Sequence, residues 1–217
     1  MFLSRVMLNL AKLTPDMWLK WQSIPSYAGH QWLWQLFSEQ QERRFLFRHE
    51  STRQGECFYV LSDVQPLHGN GLFTVESKSF SPQLSEGMRL TFALRANPVV
   101  TRKGKRCDVM MDAKYRAKEQ GINPGEYQAK QVSAATEWLK KQGEKSGFFS
   151  DDGHIEVAGS QRHRFARRTG ERPVSYTSVD FTGSLTVTDV PLFLRTLHHG
   201  LGKSKALGCG LMLIRRG

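Results

Sequence analysis

Twice along this chain an alternating apolar segment gives way to helical periodicity and then to further alternating segments. Period 2 buries one face of a strand and period 3.6 one face of a helix, so this order restricts the fold more than composition does. In the first half, Phe2-Leu3-Ser4-Arg5-Val6-Met7-Leu8 reads as a strand. Pro15 and Pro25 punctuate the next stretch, and Leu33, Leu36 and Phe37 predict a helix over about 28–40. Residues 45–47 and 57–61 predict strands joined by a polar, glycine-containing turn, and 73–77 a further strand. The second half repeats the plan. Residues 89–97 alternate, a polar and basic insertion runs to about Gly125, and Val132, Ala135, Trp138 and Leu139 mark a helix over 129–142. Strands are expected near 154–157 and 179–187, Asp189 caps a helix carrying Leu192, Leu194 and Leu197, and 211–214 closes the chain as a strand.

Two successive β-α-β-β-(α)-β patterns predict an α+β protein with two tandem ferredoxin-like (RRM-like) domains, over 1–85 and 86–217. The segment 82–87 reads as their boundary. The second helix of the first domain is the weak point, because 63–70 is short and contains Pro66. A single mixed α+β domain fits the same pattern.

Charge narrows the partners. Thirty-one Lys and Arg stand against twenty Asp and Glu, a formal net charge of +11, which attracts polyanions and speeds their capture. The cations cluster. Arg102, Lys103, Lys105 and Arg106 form one knot; Arg162, Arg164, Arg167, Arg168 and Arg172 form another, opposed only by Glu171. The planar fork of arginine suits phosphate oxygens and guanine edges, so the second cluster is a candidate RNA contact. No stretch approaches the roughly 18–20 apolar residues that span a bilayer, and Arg5 and Lys12 interrupt the apolar N-terminus. A cytoplasmic protein that does not engage membrane is expected. Cys57, Cys107 and Cys209 are odd in number and widely spaced, and the histidines lack metal-ligand spacing. Neither a metal nor another cofactor is expected.

Near the C-terminus stands Gly200-Leu201-Gly202-Lys203-Ser204-Lys205-Ala206-Leu207-Gly208-Cys209-Gly210. Glycine pairs at both ends permit positive φ and close approach of the backbone to another molecule. Gly202-Lys203-Ser204 is not the end of a P-loop, because Leu197 occupies the position of that motif's first glycine. The phrase reads as an RNA-contacting loop, with Lys203, Ser204 and Lys205 as contacts between Gly200, Gly202, Gly208 and Gly210. An ordinary glycine-rich turn is the alternative.

The candidate chemistry lies in Tyr27-Ala28-Gly29-His30, at the expected start of the first helix. Tyr27 and His30, three residues apart, point toward one spot. Histidine suits proton transfer near neutral pH. A helix start disfavours its charged form, whereas a bound phosphate favours it. RNA carries its own nucleophile in the 2′-hydroxyl, so a protein that aligns it and moves protons needs no metal. Local sequence alone does not select His30 over the other histidines, and a structural Tyr/His pair is the plainer alternative.

Together these residues resemble the CasE family, the CRISPR RNA-processing endoribonucleases of type I-E systems within a repeat-associated RNA-binding superfamily. The resemblance rests on Met1-Phe2-Leu3-Ser4-Arg5, Tyr27-x-x-His30, Leu94-Arg95-Ala96-Asn97-Pro98 and the Gly200–Gly210 phrase, in that order over nearly the full length. It implies two ferredoxin-like domains and metal-independent cleavage at the 3′ base of the repeat stem-loop, leaving a 2′,3′-cyclic phosphate. It further implies that the product stays bound, alongside the other Cascade subunits. His30 matches the family's general acid or base, and Tyr27 the tyrosine that orients the nucleophile or stabilises the transition state. The Arg162–Arg172 stretch falls where the family carries a basic hairpin that grips the stem. No lysine near His30 in sequence matches the one that assists cleavage in some relatives. A non-catalytic RNA-binding scaffold of the same superfamily is the second reading, and a general basic nucleic-acid binder the third.

Overall fold

The structure, a computed structural model, describes residues 1–68, 71–102, 104–150, 152–166 and 170–217. Contacts divide the chain into two units, one of 1–83 with 205–211, the other of 84–204 with 212–217.

The first unit begins with β1 (Phe2–Leu8), followed by α1 (Pro15–Ser23), α2 (Pro25–Leu33), β2 (Phe45–Thr52), β3 (Gly55–Ser62) and β4 (Phe73–Ser79). The strands form one antiparallel sheet in the order β2-β3-β1-β4. Alternation works as expected in β1, where Ser4, Val6 and Leu8 are buried and Arg5 is exposed. Val6, Phe47, Phe58 and Val60 from the sheet share a core with Trp21, Ala28, Trp32 and Leu33 from the helices. Among the described residues between β3 and β4 no helix forms, and the sheet closes without the second crossover helix.

The helical region differs from the expected single helix over 28–40. Helix α1 occupies the stretch that its prolines mark as punctuation, α2 starts three residues earlier, and 34–37 continues only as a 3-10 turn. Proline does not act as a stop here. At the first helical position its missing N–H costs nothing and its fixed φ favours the helix. Pro15 and Pro25 both start helices, and the Thr14 hydroxyl caps α1 by accepting from the Met17 N–H at 3.3 Å.

The second unit contains β5 (Arg89–Ala96), β6 (Val99–Arg102), β7 (Lys105–Asp108), α3 (Val109–Glu119), α4 (Tyr127–Glu144), β8 (Phe148–Phe149), β9 (Ile155–Phe165), β10 (Val174–Val187), α5 (Val190–His199) and β11 (Met212–Arg216). Its sheet runs β11-β5-β10-β8, with β9 also paired to β10. Both sheets therefore place the last strand beside the first and the third strand next to it, the ferredoxin-like arrangement twice over. Leu94, Leu139, Phe148, Phe181, Phe193 and Leu197 are fully buried here. Trp138 stacks on Phe181 with ring centroids 6.1 Å apart. Asp189 caps α5 as its sequence position predicts, its carboxylate accepting from the Leu192 N–H at 2.8 Å.

Two further differences concern polar segments. Among its described residues the basic insertion forms the antiparallel β6–β7 pair and α3, the latter capped by Asp108. The β9–β10 pairing extends from Gly183–Ile155 to Val174–Phe165, well past the short strands expected. Its β9 strand is mostly exposed and polar, and the facing β10 segment buries Thr177 and Ser178 between Tyr176 and Val179, so apolar alternation could not mark it. The boundary expected after residue 85 lies at 83/84, and 205–211 returns to the first unit. Among the described residues, no helix is long and apolar enough to cross a membrane.

Candidate RNA-cleavage site

Helix α2 carries both candidate catalytic residues. Its buried side comprises Ala28, Gly29, Trp32 and Leu33, and Tyr27 and His30 are only partly buried. Gly29 sets the depth of the helix on the sheet: a Cβ there would lie 2.6 Å from Cε1 of Phe58. The His30 ring stacks on Phe47 at 6.1 Å between centroids with planes 16° apart. Phe45 lies 6.2 Å and Trp34 6.5 Å from the same ring. These aromatic walls limit the rotation of the imidazole. The Tyr27 hydroxyl accepts from the Gln31 side-chain amide at 3.2 Å, and the Lys20 ammonium stands 5.7 Å from the Tyr27 ring centre.

His30 occupies the last turn of α2 rather than its start. The effect expected of a helix start therefore does not apply to its charge.

The glycine phrase divides between the units after Ser204. Gly200, Gly202, Gly208 and Gly210 all have positive φ, the conformation that glycine permits. Two of them face the chain's own rings as well. A Cβ on Gly202 would meet Trp138 at 3.3 Å, and one on Gly208 would meet Phe47 at 3.2 Å. Gly208 thus backs the ring that stacks beneath His30. The 3-10 turn Lys205–Leu207 packs against α2 and β2, bringing a lysine-bearing turn onto the elements that hold Tyr27 and His30. Lys203 is exposed and Ser204 partly buried, both in the second unit.

Arg162 and Arg164 lie on β9, exposed and two residues apart on one face. Arg167 and Arg168, with Lys103 of the other basic knot, lie outside the described residues. Between the two arginines, His163 faces the opposite way. It stacks on Tyr176 at 4.4 Å and shares a 2.8 Å hydrogen bond with the Ser178 hydroxyl. Burial, with a smaller contribution from the Arg95 charge, holds its pKa below the ordinary histidine value. Arg95, a residue of the motif that opens the second half, forms a two-pronged ion pair with Asp180 at 2.9 and 3.1 Å.

The roles of Phe45, Phe47 and Gly29 were missed from sequence. Phe45-x-Phe47 on one strand face was the available signal, but nothing local shows which helix residue such a pair meets. Among the described residues, no group of three or more His, Cys, Asp or Glu is placed to share a metal ion.

The family described as CRISPR associated protein matches the chain over residues 1–216. The chain is 30% identical over 190 residues to the CRISPR system Cascade subunit CasE of Escherichia coli K12, spanning 86% of this chain and 89% of that protein. It is similar to a structure of the CRISPR endoribonuclease Cse3 bound to a 19-nucleotide RNA, with a TM-score of 0.76 and 26% identity, covering 99% of this chain and 100% of that one. Thermus thermophilus Cse3, in a pre-cleavage complex with RNA, gives a TM-score of 0.72 at 26% identity, covering 99% and 98%.

Proposed function

The chain belongs to the CRISPR-associated protein family, and from that premise we propose that it is a pre-crRNA endoribonuclease acting on the repeat stem-loop. The observation that carries this reading is His30, presented on α2 and flanked by Phe45, Phe47 and Trp34, with Tyr27 one turn away and the Lys205–Leu207 turn packed on the same elements. The similarity to RNA-bound Cse3 supports the substrate class, and that to CasE supports retention in a Cascade assembly.

Cleavage at the 3′ base of the stem proceeds by attack of the upstream 2′-oxygen on the adjacent phosphorus. The O2′–P bond forms, the P–O5′ bond breaks, and the upstream product carries a 2′,3′-cyclic phosphate. The 2′-hydroxyl loses a proton and the departing 5′-oxygen gains one. His30 takes one of these transfers as general acid or base, worth roughly 10²–10⁴-fold. Tyr27 orients the nucleophile or donates to the phosphoryl oxygens. The RNA supplies the attacking group, so no metal-bound water is required. Lys203, Ser204 and Lys205 hold the backbone; Arg162 and Arg164 grip the stem, a role proposed also for Arg167 and Arg168, which follow in the sequence. The deep groove of A-form RNA resists side-chain reading, so shape and phosphate contacts dominate.

Incubation with a repeat hairpin in EDTA tests this reading. One cut at the 3′ base, at the rate seen with magnesium, is expected. A hairpin held tightly but left whole would mark a scaffold subunit instead. Equal affinity for hairpin and unrelated duplex at physiological salt would mark a general binder.

A further inference from the structure

We propose that Asn97 is a positioning residue that clamps the glycine-rich loop and turns Ser204 into a phosphate donor; this rests on the RNA-binding reading above. Asn97 directly follows β5, just before Pro98, and is 6% exposed. Pro98 restricts it to extended backbone, so its side chain projects from a fixed base. Its backbone forms an isolated antiparallel bridge with Lys203, and its side-chain amide donates to the Ser204 hydroxyl at 2.7 Å. Gly202 completes the clamp, wedged where a Cβ would lie 3.4 Å from the Asn97 carbonyl oxygen and 3.3 Å from Trp138.

Ser204 is the only non-glycine residue with positive φ among the described residues, at 57°. Left-handed backbone strains an L-residue, and such strain persists only where the surroundings over-determine it. Every neighbouring positive-φ position in the loop is glycine. A loop that needed only the turn would have glycine at 204 too. Serine there makes sense if the hydroxyl has work that hydrogen cannot do. A hydroxyl has one proton to give and lone pairs to accept with. Because Asn97 occupies an acceptor position, the Ser204 proton remains available to donate outward, next to the exposed Lys203 ammonium. A backbone phosphate of the RNA is the ligand that matches a cation beside an oriented O–H donor.

The test measures hairpin affinity by fluorescence anisotropy for the wild type, N97A, S204G and the double variant, with a melting curve for each. Each single change should weaken binding about tenfold, and the double variant should bind no worse than either single one, since both remove the same device. S204G should melt no lower than wild type, because glycine relieves the backbone strain. That combination separates positioning from mere stability. Wild-type affinity in S204G, or single losses that multiply in the double variant, would overturn the proposal. Failure of the wild-type chain to hold the hairpin would instead overturn the functional reading on which it rests.

Discussion

Replacing His30 with alanine is expected to reduce hairpin cleavage by about 10³-fold or more, at or beyond the middle of the range for removing a general acid or base. Affinity for the hairpin should stay within a few-fold. The asymmetry follows from the division of labour. On the proposed reading the imidazole serves proton transfer at the scissile phosphate, whereas the grip on RNA falls to the loop lysines and the β9 arginines. The ring is partly buried against Phe45 and Phe47, so its truncation opens a small space at the protein surface without removing a core side chain. Single-turnover cleavage beside anisotropy checks both halves. Parallel loss of binding and cleavage would show that His30 holds the RNA rather than cutting it.

The second large effect is expected from Gly29→Ala. Its new methyl group would lie 2.6 Å from Cε1 and 2.8 Å from Cζ of Phe58, a fully buried ring in the middle of the sheet. Neither side can yield cheaply: Phe58 is surrounded by Trp21, His49, Phe47 and Phe73. Helix propensity favours alanine by about 1 kcal/mol, but overpacking a core costs about 1–3 kcal/mol. Packing wins at this position because the contact is far below van der Waals distance. Helix α2 must lift, and His30, the next residue, moves with it. Misplacement of a catalytic group by about 1 Å can lower a rate about 10²-fold. Cleavage should fall much further than hairpin affinity, with a lowered melting temperature. An unchanged rate in a stably folded G29A would show that the depth of α2 does not set the position of His30.

The sequence resolved the elements whose pattern is local and missed those decided by distant partners. Apolar alternation located β1 and β5, and the apolar face of Val132, Ala135, Trp138 and Leu139 located α4. The Asp189 cap was readable because its partner N–H is three residues away. Helix α1 was hidden by its own proline, whose meaning depends on position within a helix. The outer arm pairs an exposed, polar β9 with a β10 segment that buries Thr177 and Ser178 between Tyr176 and Val179, so no apolar alternation reports its length. Tyr27 and His30, the proposed catalytic pair, were singled out by resemblance, since local sequence does not select His30 over the other histidines. The return of 205–211 to the first unit was not, since it depends on how Gly208 fits against Phe47. The closing glycine phrase, remote from His30 in sequence, supplies a turn that packs on the helix bearing it.

In the proposed mechanism the RNA is cut through its own 2′-oxygen while the protein aligns it and moves protons. A repeat hairpin carrying a single 2′-deoxynucleotide immediately upstream of the scissile phosphate, assayed under single turnover in EDTA, removes that nucleophile alone. That RNA should bind as tightly as the unmodified hairpin and remain uncut, while the unmodified control yields one product ending in a 2′,3′-cyclic phosphate. Cleavage of the deoxy hairpin at the same position would contradict the mechanism.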